Sequence, residues 1–364
     1  MSLDLSLIPD GGLHWLSASG EHAGIVLSSR IRLARNIAGY AFPTRAREGE
    51  RLRVLHQMRE AAGRAASLRA AAFVRVDECS HQERLLLHER HLVSRELAGL
   101  DQASTSASGA SAGAVLLTGD AGLMVNEEDH LRLQVFRSGF DVSGALREAE
   151  RIDQELGAEL PYAWHKEFGF LTACPTNTGT GMRASVLIHL PGLVLTQEIG
   201  KVLQGLQHMG LTYRGLYGEG SDVLGNFFQI SNQTTLGRAE EELADQLVRV
   251  VRRVIEREEE ARRVLLRDAG YIIEDKLWRA YGTLRHARNL PADEAMNLLS
   301  GVRLAAGLNL IAGLSVYTLN KLLIFSQSGH LAHAEGRALT DGEANLARAK
   351  YVRTVLANEA RLPG

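Results

Sequence analysis

The chain reads as an α+β region followed by an all-helical one. Short β-rich runs alternate with helical stripes up to about residue 235, and from Arg238 onward the pattern is helical alone. At 364 residues, 45% hydrophobic and 23% charged, the composition is that of an ordinary folded globular protein with length for about two domains. Lys and Arg (41) nearly balance Asp and Glu (43), so no overall positive field would hold a nucleic-acid backbone, and no direct nucleic-acid binding is expected. Two cysteines, Cys79 and Cys174, build neither a disulfide framework nor a four-cysteine zinc site, which fits a reducing cytoplasm. The start, MSLDLSLIPDGG, has an acidic residue where a signal peptide needs basic ones. The apolar stretch Leu304 to Leu319 is interrupted by Asn309, Ser315 and Tyr317 and is shorter than the ~20 residues of a membrane span. The expectation is a cytoplasmic protein without a membrane anchor.

Taken in order, Ile25 to Leu27, Ala72 to Val76, Ala114 to Leu117 and Leu131 to Phe136 are the β-rich runs, the last alternating apolar and polar residues. Glu48 to Leu68 carries Leu52, Leu55, Met58 and Ala62 at helical spacing, and Val142 to Leu156 and Leu193 to Met209 read as helices too. Ala103 to Gly113 (ASTSASGASAG) is too small and polar to pack and reads as a surface loop. After Arg238, Leu243, Leu247, Val250, Val251 and Val254 keep one apolar face on a segment dense in Glu and Arg. Further helices are predicted at Ile272 to Arg288, Ala292 to Ala306, Thr318 to Ser326 and Asp341 to Asn358, with Gly270 and Pro291 as breaks.

Chemistry concentrates in SSRIR (28 to 32), NEEDHLR (126 to 132), CPTNTGTGMRASV (174 to 186), YRGLYGEG (213 to 220) and His91. Arg30, Arg32, Arg132, Arg183 and Arg214 each adjoin an apolar or β-rich run instead of a helical charge stripe. A planar guanidinium at such a place suits polydentate phosphate oxygens; any one of them alone reads first as a surface ion pair, and only their convergence favours the phosphate. TNTGTG lacks the GK[ST] of a phosphate-binding P-loop, and GEGSDVLG lacks a dinucleotide fingerprint. Gly179 and Gly181 fit either a close backbone approach to phosphate or a loop needing positive φ. Glu127, Glu128 and Asp129 are an exposed acidic turn or, with Glu219, a clamp on a planar cation that takes its proton. Cys174 is a reactive thiol or a small buried residue. Cys79, His81, His88 and His91 match no zinc-ligand spacing, and no structural metal is expected.

As a set, SSRIR, NEEDHLR, CPTNTGTGMRASV and RGLYGEG resemble the hallmarks of the phosphagen kinases, the ATP:guanidino phosphotransferases. The resemblance spans most of residues 22 to 235 and implies an antiparallel sheet flanked by helices. RHLVSRELAG, YGEGSDVLGNFFQISNQTTLG, the helical tail and an SSRIR motif beginning at residue 28 resemble one branch, the bacterial protein-arginine kinases of the McsB type. This implies an N-terminal extension at 1–21, a catalytic domain at 22–255, and a helical domain at 256–364 for dimerisation or partner binding.

The resemblance implies that Ser28, Ser29, Arg30, Ile31, Arg32, His91, Arg132, Arg183, Ala184, Ser185, Val186, Leu187, Arg214, Gly215, Leu216, Tyr217, Gly218 and Glu219 contact ATP, with His91 at the adenine. Glu128 matches the catalytic base, Glu219 its partner on the guanidinium, and Cys174 the family's reactive cysteine. Near the C-terminus the branch carries an R-D-x-x-R-A phosphoarginine-binding motif; here the stretch is Ala344, Asn345, Leu346, Ala347, Arg348, Ala349, which keeps only Arg348 of the charged set. Activation by phosphoarginine is therefore not carried over. The implied activity is transfer of the ATP γ-phosphoryl group, with Mg²⁺, to arginine side chains exposed on proteins, in a stress-response or quality-control setting. Implied partners are Clp unfoldase or protease components, a zinc-binding activator protein and a second copy of the chain. The alternatives are a kinase for free arginine or another small guanidino compound, and an idle adaptor binding phosphoarginine or Clp components.

Overall fold

The computed structural model describes residue 6 and residues 8–100, 111–216 and 223–359. Most of the expected loop Ala103 to Gly113 lies outside the described residues, as do Tyr217, Gly218 and Glu219. Strands β1 (Val26–Arg35), β2 (Ala72–Arg75), β3 (Ala114–Leu117), β4 (Ala121–Val125), β5 (Leu131–Ser138), β8 (Met182–His189), β9 (Leu211–Arg214) and β10 (Phe227–Asn232) form one sheet. Its order is β2-β3-β4-β5-β1-β8-β10-β9, antiparallel throughout. β6 (Trp164–His165) and β7 (Gly169–Phe170) make a small separate hairpin.

β1 is longer than its apolar start suggests, because SSRIR continues the strand instead of following it. Successive side chains of a strand point to opposite faces. Ile31 and Leu33 therefore join one face with Leu133, Val135, Ala184, Val186 and Ile230, all buried. Helices α1 (Glu48–Arg64), α3 (Val142–Gly157), α5 (Ile199–His208) and the first half of α6 (Glu240–His286) cover that face, contributing Met58, Ala145, Leu206 and Leu247 to the same core. At about 1.5–3 kcal/mol per fully buried aliphatic side chain, this layer is the main source of the sheet's stability.

Among the described residues the opposite face is covered at its ends. On one side α2 (His81–Glu89) and the segment after it close over Val115, Leu117 and Met124 with Leu87 and Leu92. On the other, the C-terminal helices pack against Leu27, Phe136, Leu187 and Phe227. Polar side chains line the strands between.

The apolar face expected after Arg238 is present, and the break expected at Gly270 is a kink at the non-helical Ala269 (φ −141°), where the two helical segments of α6 meet. The expected boundary between residues 255 and 256 thus falls inside a helix. Helices α7 (Ala292–Gly307), α8 (Val316–Phe325), α9 (Ser328–Glu335) and α10 (Asp341–Glu359) complete the region. The single helix expected over Leu193 to Met209 is instead α4 (Pro191–Leu195) and α5, because Gln197 adopts a left-handed conformation (φ 62°) between them.

The expected N-terminal extension is in part built into the body. Leu13, Trp15 and Leu16 belong to the C-terminal core. Arg303 of α7, 1% exposed, donates to the carbonyls of Ala23 and Gly24 and to Asn320 Oδ1. Asn320 Nδ2 in turn donates to the Leu16 carbonyl. Arg303→Ala strands these acceptors in a dry interior and is expected to destabilise the chain by about 3 kcal/mol in denaturant unfolding. Arg279→Ala, which breaks only an exposed pair with Asp275, should leave the midpoint unchanged.

Candidate active site

Strand register decides which residues share the open face. Arg30 lies opposite Phe136 and Ser185, Arg32 opposite Gln134 and Arg183, and Ala34 opposite Arg132. Directly paired residues in a sheet face the same way, so Ser28, Arg30, Arg32, Arg132, Arg183, Ser185 and Leu187 share the cleft face. Arg214 on β9 joins them through Gln229, its register partner on β10. Ser29, Ile31, Ala184 and Val186 do not. The same alternation sends them to the helix-covered side, where all four are buried and the Ser29 hydroxyl donates to the Gly139 carbonyl. Of the expected ATP contacts, these four turn their side chains away from the cleft face. Gly215 and Leu216 continue from β9, with Leu216 buried at the cleft's end.

The arginines are held apart by neutral acceptors. Arg30 Nη2 donates to Gln229 Oε1 (3.1 Å), and Arg183 donates through Nε and Nη2 to the Ser231 hydroxyl (3.2 and 3.0 Å). Burial, then the charges of Arg183 and Arg132, lower Arg30 to about 10. Burial with Arg30, Arg183 and Arg132 around it pushes Arg32 down further. Each guanidinium is worse off for its neighbours, which is the electrostatic signature of a site shaped for a multiply charged anion.

At the cleft's edge the turn Asn126 to His130 joins β4 to β5, closed by the Asn126 N–H on the His130 carbonyl, with Asn126 left-handed (φ 57°). Arg132 bridges two carboxylates of this turn, Nη1 to Glu127 Oε1 (2.7 Å) and Nη2 to Glu128 Oε2 (2.8 Å). Glu127 is fully enclosed while Glu128 keeps 28% of its side-chain surface. Burial raises Glu128 above its ordinary value against the pull of Arg132. Burial also opposes the charge on Arg132, but Glu127, Glu128 and Asp129 outweigh it and leave its affinity for the proton raised. The acidic turn is thus a built ion-pair cluster, not a solvated loop.

Asp129, which the sequence reading left in that cluster without a task of its own, is the joint of the site. Its Oδ1 accepts from Asn36 Nδ2 (2.6 Å), just past β1, and from the Ala173 N–H (2.7 Å), next to Cys174. Cys174 therefore sits one residue from a backbone group tied to the residue after Glu128. It is half-buried, with its sulfur 3.0 Å from the Thr176 hydroxyl. The glycines of this loop are explained by packing. A Cβ on Gly179 (φ 117°) would lie 2.4 Å from the Thr235 carbonyl, and one on Gly181 (φ 62°) 2.6 Å from that of Ala34.

At the other end of the cleft a small recess, open to solvent, is lined by Trp15, His91, Phe136, Leu187 and Leu216 with Ser28, Arg30, Ser185 and Gln229. Trp15 stacks on Phe136 (5.7 Å, 24°), His91 meets Trp15 edge-on (5.5 Å), and Arg30 lies over the Phe136 ring (5.3 Å). Burial, then Arg30 and His88, hold His91 well below its usual pKa, so it is neutral. Trp15, Phe136, Gln229 and Ser231 were not singled out in the sequence. Phe136 and Leu187 carried a signal, as apolar residues in the polar register of their strands; Trp15 carried none.

Arg348 belongs to neither region. It is 2% exposed, and its guanidinium donates to the carbonyls of Ser326 and Leu290, to Asn345 Oδ1 and to the Ser328 hydroxyl. It is an internal strut between helices. Among the described residues no group of three or more His, Cys, Asp or Glu is placed to hold a metal ion.

Residues 53–261 match the family model described as ATP:guanido phosphotransferase, C-terminal catalytic domain, and 271–362 match the Protein-arginine kinase McsB C-terminal domain. The kink at Ala269 falls in the gap between them. A protein-arginine kinase from Moorella thermoacetica is 43% identical over 358 residues, 97% of this chain and 100% of its own. One from Pelotomaculum thermopropionicum is 41% identical over 350 residues, 95% and 96%. Among solved structures, the duplicated taurocyamine kinase from Schistosoma mansoni superposes with a TM-score of 0.60 at 24% identity, over 71% of this chain and 35% of that longer one. That likeness establishes the fold, and the near-full-length matches carry the kinship further: the chain belongs to the protein-arginine kinase branch of the ATP:guanidino phosphotransferase family.

Proposed function

We propose that the chain transfers the γ-phosphoryl group of ATP to a guanidinium nitrogen of an arginine side chain in a protein, giving phosphoarginine and ADP. The observation that carries the reading is the cleft face itself, where Arg30, Arg32, Arg132 and Arg183 converge from three adjacent strands beside the Glu127–Glu128 pair. The names of the full-length relatives support protein as the acceptor.

In this reading the triphosphate lies along Arg30, Arg32, Arg183 and Arg214, whose planar forks match phosphoryl oxygens and neutralise charge as the transition state forms. Mg²⁺ would enter with the nucleotide, held chiefly by phosphate oxygens and water, and would supply further charge neutralisation beside these arginines. The acceptor guanidinium, with a pKa of roughly 12.5–13.8, is a poor nucleophile until a proton leaves. Glu128 accepts that proton as the N–P bond forms and the bond from the γ phosphorus to the bridging oxygen breaks, and ADP departs with the electron pair. The raised proton affinity of Glu128 brings this base closer to working pH. Arg132, fixed on Glu127, orients Glu128, and Asp129 holds the Cys174 loop against the same turn. Glu219, outside the described residues, takes the second clamp position by resemblance. The Ala269 kink supports a division between catalytic and helical domains there. Beyond it, the exposed Tyr271, Ile272 and Trp278 on α6 suit a homodimer contact.

Incubated with ATP and Mg²⁺, the wild type should place acid-labile phosphate on an unfolded protein acceptor and leave free L-arginine unlabelled. Glu128→Gln should lower kcat by roughly 10²-fold or more without loss of fold, as removal of a general base does. Labelling of free arginine alone would make the chain a small-guanidino kinase; labelling of neither would favour the adaptor. Since Glu128 works deprotonated and its pKa is raised, kcat should fall with decreasing pH through a limb above the ordinary Glu value of about 4.3. For the helical tail, Ile272→Glu should shift a dimer to monomer in sedimentation velocity, and an unchanged mass would remove that face from consideration.

A further inference from the structure

The recess beside the arginine face is walled by a tryptophan from outside every catalytic motif. Trp15 is 3% exposed, packed on Phe136 and His91, and its Nε1 is buried with no hydrogen-bond partner among the described residues. Native interiors rarely leave a buried donor unmatched unless a ligand or water completes it. The recess is continuous with the arginine face through Arg30, which covers Phe136 and also belongs to the cationic row. A ligand suited to both has a flat ring at one end and anionic oxygens at the other. The indole is also held in place: Leu16, its neighbour, accepts from the fully buried Asn320 of α8.

We propose that Trp15 binds the purine base of the nucleotide, its indole N–H donating to an acceptor atom of the ring while its face, with Phe136 and His91, sets the plane of the base. This rests on the reading that the cleft takes ATP. The N-terminal segment thereby supplies part of the nucleotide site, and α8 fixes its position.

Trp15→Phe keeps an aromatic ring and removes the N–H. In calorimetry on the full chain the ADP Kd should rise roughly tenfold, the loss expected for one neutral hydrogen bond. Inorganic triphosphate, which has no base, should bind both proteins equally. In turnover the KM for ATP should rise in the same proportion, with kcat within about twofold. A second readout needs no variant: Trp164 and Trp278 are exposed and Trp15 is buried, so the blue edge of the tryptophan emission belongs to Trp15 and should change when ADP is added. An unchanged ADP Kd in folded Trp15→Phe, an equal loss for triphosphate, or a blue edge indifferent to saturating ADP would each overturn the inference. A wild type that binds ADP in this Trp15-dependent way but phosphorylates no acceptor would overturn the kinase reading and support the nucleotide contact.

Discussion

Guanidinium groups on neighbouring strands repel one another, and partial burial strengthens the repulsion by removing the water that would screen it. The cleft face of this sheet concentrates that cost on Arg30, Arg32, Arg132 and Arg183, and the rest of the molecule is arranged to hold it. The opposite face carries a continuous apolar layer under α1, α3, α5 and α6, which keeps the strands in register whatever their other side chains prefer. Neutral oxygens of Gln229 and Ser231 keep Arg30 and Arg183 in defined orientations without cancelling their charge. Arg132, by contrast, is paired with two carboxylates.

That exception is chemically informative. Glu127 and Glu128 already hold one guanidinium in a two-carboxylate grip, the same recognition an arginine acceptor requires. The difference between the two carboxylates is access, since Glu127 is sealed and Glu128 is not. Asp129 then extends the turn's geometry to its surroundings. Through Asn36 it is fixed to the end of the central strand, and through Ala173 it fixes the loop bearing Cys174, so one buried carboxylate sets the relative positions of three segments far apart in sequence.

The sequence made the chemistry more legible than the strands that carry it. The five arginines, the acidic turn and the cysteine loop stood out because charged residues and glycines beside apolar runs are unusual. Their separation into two faces was harder to see, because SSRIR and MRASV lie inside strands whose alternation mixes Ser and Ala with large residues. β8 changes character along its length: Arg183 and Ser185 face the cleft, but Leu187 in the same register meets the C-terminal helices. The split between α4 and α5 depends on the left-handed Gln197, a conformation its residue type does not announce. Gly270 marked the break in α6 to within one residue, since the two helical segments meet at the non-helical Ala269. Trp15 became visible only when the chain closed on itself.

α6 has 47 residues and a contour of ~70 Å, and its two halves belong to different hydrophobic cores. Leu243, Leu247 and Val254 lie under the sheet, while Leu277 and Leu284 lie among the C-terminal helices. Across the kink at Ala269 this element thus links the layer beneath the arginines to the region that anchors Trp15. The two regions are not beads on a string: a cut made within either half of this rod would leave a raw greasy stump on each fragment.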